Sequence, residues 1–154
     1  MRKPLALLLL SAACLYGYHV PANPLIKSTT EISSTTNTAY TGTYKGVLPC
    51  ADCKGIEMEL TLLLDGKSKS KQFILKQKYI GKSTASNAET ITGKWFMATG
   101  NKQNPKAKIL QLIPDTNSDL LYFELMKDGS IKLLDRGQEQ YKSKLNYTLR
   151  KQNR

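Results

Sequence analysis

Ile56-Glu57-Met58-Glu59-Leu60-Thr61-Leu62-Leu63-Leu64-Asp65-Gly66 is the stretch whose reading decides the fold class. Apolar residues fall on every second position from Ile56 to Leu64, and Glu57, Glu59 and Thr61 stand between them. A period of two belongs to a strand, whose successive side chains point to opposite faces, so this segment has one face to bury and one to leave in water. Asp65-Gly66 then supplies a hairpin-turn signal.

Working outward, the pattern repeats. Gln72 to Ile80 carries apolar residues on both faces and stops at Gly81. In Ala88 to Met97, Ile91, Trp95 and Met97 share one side and Thr90, Thr92 and Lys94 the other. After the break at Asn101 to Pro105, Lys108 to Ile113 and Leu120 to Met126 read as strands, Asp128-Gly129 turns the chain into Ile131 to Leu134, and Leu145 to Leu149 alternates again. With a first strand ahead of the cysteines in a folded part that begins near Tyr40, this makes about eight short strands and no sustained helical period. The expectation is an all-β fold: a small antiparallel meander that closes into a β-barrel, with a two-sheet β-sandwich as the alternative.

The residues before Tyr40 read differently. Arg2 and Lys3 precede the apolar run Leu5 to Ala13, which has the order of a secretory signal peptide and is far shorter than the ~20 residues that span a bilayer. Cys14 follows. An apolar run, small residues and then a cysteine resemble the lipobox of bacterial lipoproteins, although Ser11 stands where that pattern usually has Leu. Cys14 is therefore expected to be the lipid attachment site. The alternative, ordinary cleavage near Ala13, would leave it as a free thiol outside the cytosol. From Leu15 to Ala39 no apolar period is sustained, and Ser28 to Thr38 is a polar tract, as expected of a tether. The expected organisation is a signal peptide over 1–13, a lipidated cysteine and tether over 14–39, and one domain over 40–154.

The chain carries a formal net charge of +11. Losing Arg2 and Lys3 with a leader leaves about +9, still strongly basic. A leader takes the chain out of the cytosol, so nucleic acid is not an expected partner, and anionic lipid is the anionic neighbour that remains. The plainest reading of the lysines is the solvated outer faces of strands.

Between the first two strands lies Leu48-Pro49-Cys50-Ala51-Asp52-Cys53-Lys54-Gly55-Ile56. Residues i and i+3 in a turn can be bridged, but the chain-entropy model gives such a four-residue loop only about 2 kcal/mol, against nearly 5 for a hundred residues. Redox enzymes place a C-x-x-C pair at a helix N-terminus, whereas here it joins strands and has Asp52 beside it. Structural zinc wants four ligands, while Cu(I) is satisfied by two thiolates, with Met58, Met97 or Met126 as candidate thioether neighbours. The residues rank a Cys50–Cys53 disulfide first, reversible thiol chemistry or copper binding at the same pair second, and catalysis last. No phosphate loop or nucleophile elbow is present, and His19, the one histidine, lies in the tether. Glu57 with Glu59, and Asp115 with Asp119, read as surface charge. No enzymatic activity is expected.

Tyr44-x-Gly46-x-Leu48-Pro49-Cys50-Ala51-Asp52-Cys53-x-Gly55-Ile56, followed by an alternating strand, resembles the N-terminal domain of the NlpE lipoprotein family. Lys94-Trp95, Ile109-Leu110-x-Leu112, Tyr122-Phe123, Leu133-Leu134-Asp135 and Leu145 to Leu149 extend the resemblance over roughly Tyr40 to Arg150. It implies a lipocalin-like barrel tethered to the outer membrane and facing the periplasm. It also implies a role in copper resistance or envelope stress through a membrane sensor protein, with the family's C-x-x-C at Cys50 and Cys53. Full-length members carry a second, OB-like domain, to which nothing up to Arg154 corresponds. A lipocalin-like module for a small apolar ligand, with the cysteines as a clamp, is the second reading, and a thiol-disulfide oxidoreductase the third.

Overall fold

The computed structural model describes residues 38–81 and 88–153. The expected leader, Cys14 and His19 lie outside these residues, as does all of the expected tether but Thr38 and Ala39. Eight strands follow one another: β1 (Gly42–Leu48), β2 (Gly55–Leu64), β3 (Lys71–Ile80), β4 (Ala88–Thr99), β5 (Lys108–Pro114), β6 (Leu121–Leu125), β7 (Ile131–Leu133) and β8 (Thr148–Lys151). Each pairs antiparallel with the next and β8 pairs with β1, so the meander is a closed barrel and not a sandwich.

The alternation in β2 does what its period requires. Met58, Leu60 and Leu62 are buried inside, while Glu57, Glu59 and Thr61 face out. Tyr44, Phe73, Leu75, Trp95, Leu110, Leu112, Phe123, Ile131 and Leu149 complete one continuous core. Its two polar aromatics are satisfied: Trp95 Nε1 donates to the Leu63 carbonyl at 2.9 Å and the Tyr44 hydroxyl to that of Tyr40 at 3.0 Å. Burial raises the Tyr44 pKa, so it stays a neutral donor. The space remaining between Tyr44, Leu62, Met97, Leu110 and Ile131 is about 10 Å³, room for one water at most. The described interior is filled, and the interior site that an apolar-ligand carrier would need is absent from it.

Packing this tight needs a gap in the side-chain layer at Gly93. A Cβ there would lie 2.1 Å from the Ile113 carbonyl oxygen and 2.7 Å from the Phe73 ring. Glycine lets β4 pass β5 and the core aromatic at that distance.

Three segments carry detail that the sequence reading lacks, and one of them departs from it. Asp65-Gly66 opens the β2–β3 hairpin, as its turn signal requires. The connection runs over six residues, because the Asp65 carboxylate takes the Lys67 amide at 2.9 Å and the Ser68 hydroxyl at 2.7 Å, and Lys69 turns back at φ 56°. Those bonds, the Ser68 hydroxyl first, hold the Asp65 pKa below its ordinary value. The last strand begins at Thr148 instead of Leu145. Asn146 takes the Thr148 amide at 3.1 Å and donates to the Val47 carbonyl at 3.0 Å, and this side chain replaces the ladder while Leu145 stays 60% exposed. Ile109 alternates outward, yet it is buried in a second, outer cluster with Ala107 and Leu134. The chain between β7 and β8 folds back over it, held by Gln140, which donates to Glu124 at 2.6 Å and accepts from Lys132 at 2.9 Å.

On the outer face Glu59 bridges three strands, with its carboxylate 2.7 Å from Lys45 and 3.9 Å from Lys76. The Lys45 hydrogen bond, reinforced by both positive charges, lowers the Glu59 pKa from 4.5. A lowered carboxylate pKa contributes stability that is complete above the unfolded value and is lost as pH falls through the folded one. Glu59→Gln is therefore expected to cost under about 1 kcal/mol at neutral pH, since the pair is solvated, and nothing at a pH below both the unfolded and the folded pKa. Urea unfolding at the two pH values checks this, and an equal difference at both would exclude the ion pairs as its cause. Gly93→Ala is expected to lower the unfolding free energy by about 3 kcal/mol through overpacking, whereas Gly66→Ala, with open space around it, changes little. Similar midpoints for these two variants would refute the close approach at Gly93.

Candidate functional site

Residues 49–54 join β1 to β2 at one end of the barrel. Their geometry starts from Gly55, where a Cβ would come within 2.8 Å of the Val47 side chain, so glycine is what allows β2 to begin tight against β1. On the other side the Lys54 amide donates to the Ile80 carbonyl at 3.0 Å, tying the loop to the end of β3. The loop is thus held at both ends by strands whose own positions are fixed by the core.

Within it, Cys50 and Cys53 form a disulfide with their Cα atoms 5.3 Å apart. The Cys50 sulfur lies 3.3 Å from a carboxylate oxygen of Asp52, and the Cys53 sulfur 3.2 Å from the Gly55 carbonyl oxygen. Neither sulfur carries a proton in a disulfide, so these are close approaches and not hydrogen bonds. The cysteines are half-buried and Asp52 is exposed, so an external thiol has access to the bridge.

The sulfurs of Cys50 and Cys53 and an oxygen of Asp52 lie within 4.8 Å of one another. Opened by reduction, this set would offer two soft thiolates and one hard oxygen, a donor set that fits Cu(I) better than a four-coordinate zinc. The methionines do not join it. Met58 is buried in the core, Met97 packs against it beside Leu125 and Ile131, and Met126 begins the turn at the opposite end of the barrel. Cys14 lies outside the described residues.

The sequence reading missed what surrounds the loop. Val47, 47% exposed, precedes Cys50 by three residues, and Asn146 holds the Val47 carbonyl, which brings the exposed Leu145 segment to the same end. The one clue was the asparagine, a residue that competes with strand ladders for backbone groups.

Residues 44–144 match the family model described as the NlpE N-terminal domain. The chain belongs to the NlpE family. Among its relatives is lipoprotein NlpE of Escherichia coli K12, 30% identical over 106 residues that make up 69% of this chain and 39% of that protein. The chain thus spans about two fifths of the length of this curated NlpE relative. A structurally solved lipoprotein candidate from Shewanella oneidensis is 27% identical, with 77% of this chain and 96% of that one covered and a TM-score of 0.53. The crystal structure of the Cpx pathway activator NlpE from Escherichia coli is 26% identical, covering 73% of this chain and 52% of that chain at a TM-score of 0.49. The NlpE domain match takes in the whole segment from Tyr44 through the disulfide loop to the fold-back over Ile109.

Because the barrel is closed by its own ladders, the disulfide is not what holds it together. Reduction, or the Cys50→Ser/Cys53→Ser pair, is expected to cost about 2 kcal/mol at most and to leave a cooperative unfolding transition. Circular dichroism of the reduced protein on heating checks this; a reduced chain without a transition would make the bridge essential to the fold.

Proposed function

We propose that this protein is a bacterial envelope lipoprotein that reports envelope stress, with the Cys50–Cys53 loop as its responsive element. The observation that carries the reading is the placement of a redox-capable bridge on a loop fixed at both ends, beside exposed Val47 and the Leu145 segment. Oxidised, the loop is closed. A dithiol donor opens it by exchange: two electrons and two protons pass to the Cys50 and Cys53 sulfurs, and the donor leaves as its own disulfide. Opening removes the constraint between Pro49 and Lys54, next to the apolar side chains on which a sensor protein in the membrane would close. Cys14 carries the lipid, and the barrel faces the periplasm from the outer membrane. The E. coli relative named as a Cpx pathway activator supplies the kind of pathway.

Copper is the second reading, favoured by the convergence of two sulfurs and Asp52. Cys50 and Cys53 would hold one Cu(I) as thiolates. Since the oxidised pair offers no thiolate, binding would require prior reduction.

In bacteria lacking their own NlpE and carrying an envelope-stress reporter, overproduction of the full chain is expected to raise the reporter signal. Cys50→Ser/Cys53→Ser is expected to change that response while the protein level stays the same. A response identical with and without the cysteines would remove the loop from the mechanism. Titration of the reduced chain with Cu(I) is expected to saturate at one ion, lost in the double variant; binding that survives the variant would place copper elsewhere.

A further inference from the structure

An antiparallel meander puts its connections alternately at two ends of the barrel, and here the two ends differ in charge. One end carries the connections 65–70, 100–107 and 126–130, and the chain both comes in there, through Thr38 to Thr41, and leaves after Lys151. Lys151 itself donates to the Ala39 carbonyl at 2.7 Å. The 49–54 loop, with the disulfide, is at the other end.

Lys67 and Lys69 stand in the first of these connections, Lys102 and Lys106 in the second, Lys127 in the third, and Arg150 and Lys151 close the chain; all seven are exposed. The acidic residues in the same connections are Asp65 and Asp128, too few to balance the cations. Asp65 caps its own loop, and Asp128 accepts the Ser130 amide at 3.0 Å and its hydroxyl at 2.6 Å. Lys106, Lys108, Lys127 and Arg150 line one depression of about 960 Å³ that runs from this end along the outer face of β6 to β8. Glu124, in its wall, is occupied by Gln140. At the disulfide end, by contrast, carboxylates at Asp52, Asp115, Asp119, Asp135 and Glu139 offset the cations of the same connections, as the 2.6 Å Arg136–Asp119 pair does directly. The lysines are therefore more than the solvated outer faces that composition suggests.

We propose that this basic end is a docking surface for anionic phospholipid headgroups, and that it holds the barrel with the Cys50–Cys53 loop turned away from the membrane. The inference rests on the reading of the chain as a membrane-tethered lipoprotein. A tether limits how far the domain travels but not which way it faces. A surface potential that decays over about 10 Å acts only on the end nearest the bilayer, and that end is the one at which the N-terminal segment joins the barrel. An excess of cations there, and balanced charge among the described residues of the far end, convert tethering into orientation. An acidic protein surface would fit the lysines as well, but nothing would then link the basic end to the point where the N-terminal segment arrives.

The test uses the mature chain, purified from bacterial membranes with its mass measured and bound to phosphatidylcholine vesicles with or without phosphatidylglycerol. A donor dye is placed at Gly66→Cys, where the structure leaves open space, or at Leu120→Cys, toward the disulfide end. Acceptors are carried on lipid headgroups. Energy transfer is expected to be greater from position 66 than from position 120 with phosphatidylglycerol at low salt. The difference should vanish in high salt, in pure phosphatidylcholine, and in Lys67→Glu/Lys106→Glu/Lys127→Glu, and survive Lys142→Glu/Lys144→Glu. Equal transfer from the two positions, or a difference indifferent to lipid charge, overturns the proposal, and an acidic protein captured by these lysines under those conditions would take the lipid's place. Vesicle association that persists in high salt reports the lipid anchor separately. If it is absent, the tether reading fails, and salt-sensitive binding to phosphatidylglycerol vesicles through Lys67, Lys106 and Lys127 still decides the basic end on its own.

Discussion

The ladder between β1 and β8 is the interaction on which the rest of this structure depends. It is short, pairing Tyr44 with Lys151 and Lys45 with Arg150, and is extended by the Gln152 amide on the Thr43 carbonyl at 2.8 Å. Without it the meander would be an open sheet with two free edges and a half-covered apolar face. With it, the inward residues of all eight strands meet in one core, and Tyr44, next to the seam, is sealed under the Lys151 side chain, whose ammonium lies 5.8 Å from the ring centroid. Closure also fixes the ends of the described chain: the N-terminal approach and the C-terminal exit lie together, away from the disulfide.

That separation gives the cysteine loop its character. Structural bridges in small secreted domains stand in for a core that is too small. This barrel has a filled core and needs little from a four-residue ring. A bridge that is half-buried, expected to add about 2 kcal/mol at most and anchored at both ends can change state without taking the fold with it. The same filling that frees the disulfide from a structural role removes the internal cavity through which larger barrels of this shape act as carriers.

Much of the fold could be read along the chain because strand periodicity is local. Residues 56–64 announce their two faces without reference to any other segment, and the Asp128-Gly129 turn forms as its residues require, with Gly129 at φ 79° and the Gly129 amide returning to the Met126 carbonyl at 3.0 Å. The details that the sequence did not show share a cause. At Asp65, Asn146 and Ile109 a side chain or a distant segment competes with the local pattern: a carboxylate caps a longer turn, an amide ends a ladder early, and the fold-back between β7 and β8 covers an outward isoleucine. None of these is visible in period or propensity, since each depends on what another part of the chain brings alongside.

The sequence by itself determined the all-β class, the approximate strand count, the family and the proximity of Cys50 to Cys53, because each follows from neighbours within a few positions. The tertiary structure alone decided that the interior is filled, that the methionines stay away from the sulfurs, and that Lys67, Lys69, Lys106, Lys127 and Lys151, far apart in the chain, stand at the end opposite the disulfide. Charge in a sequence is only a sum. It becomes a surface when closure sorts alternate connections to opposite ends, and that sorting depends on strand direction, which no single segment encodes.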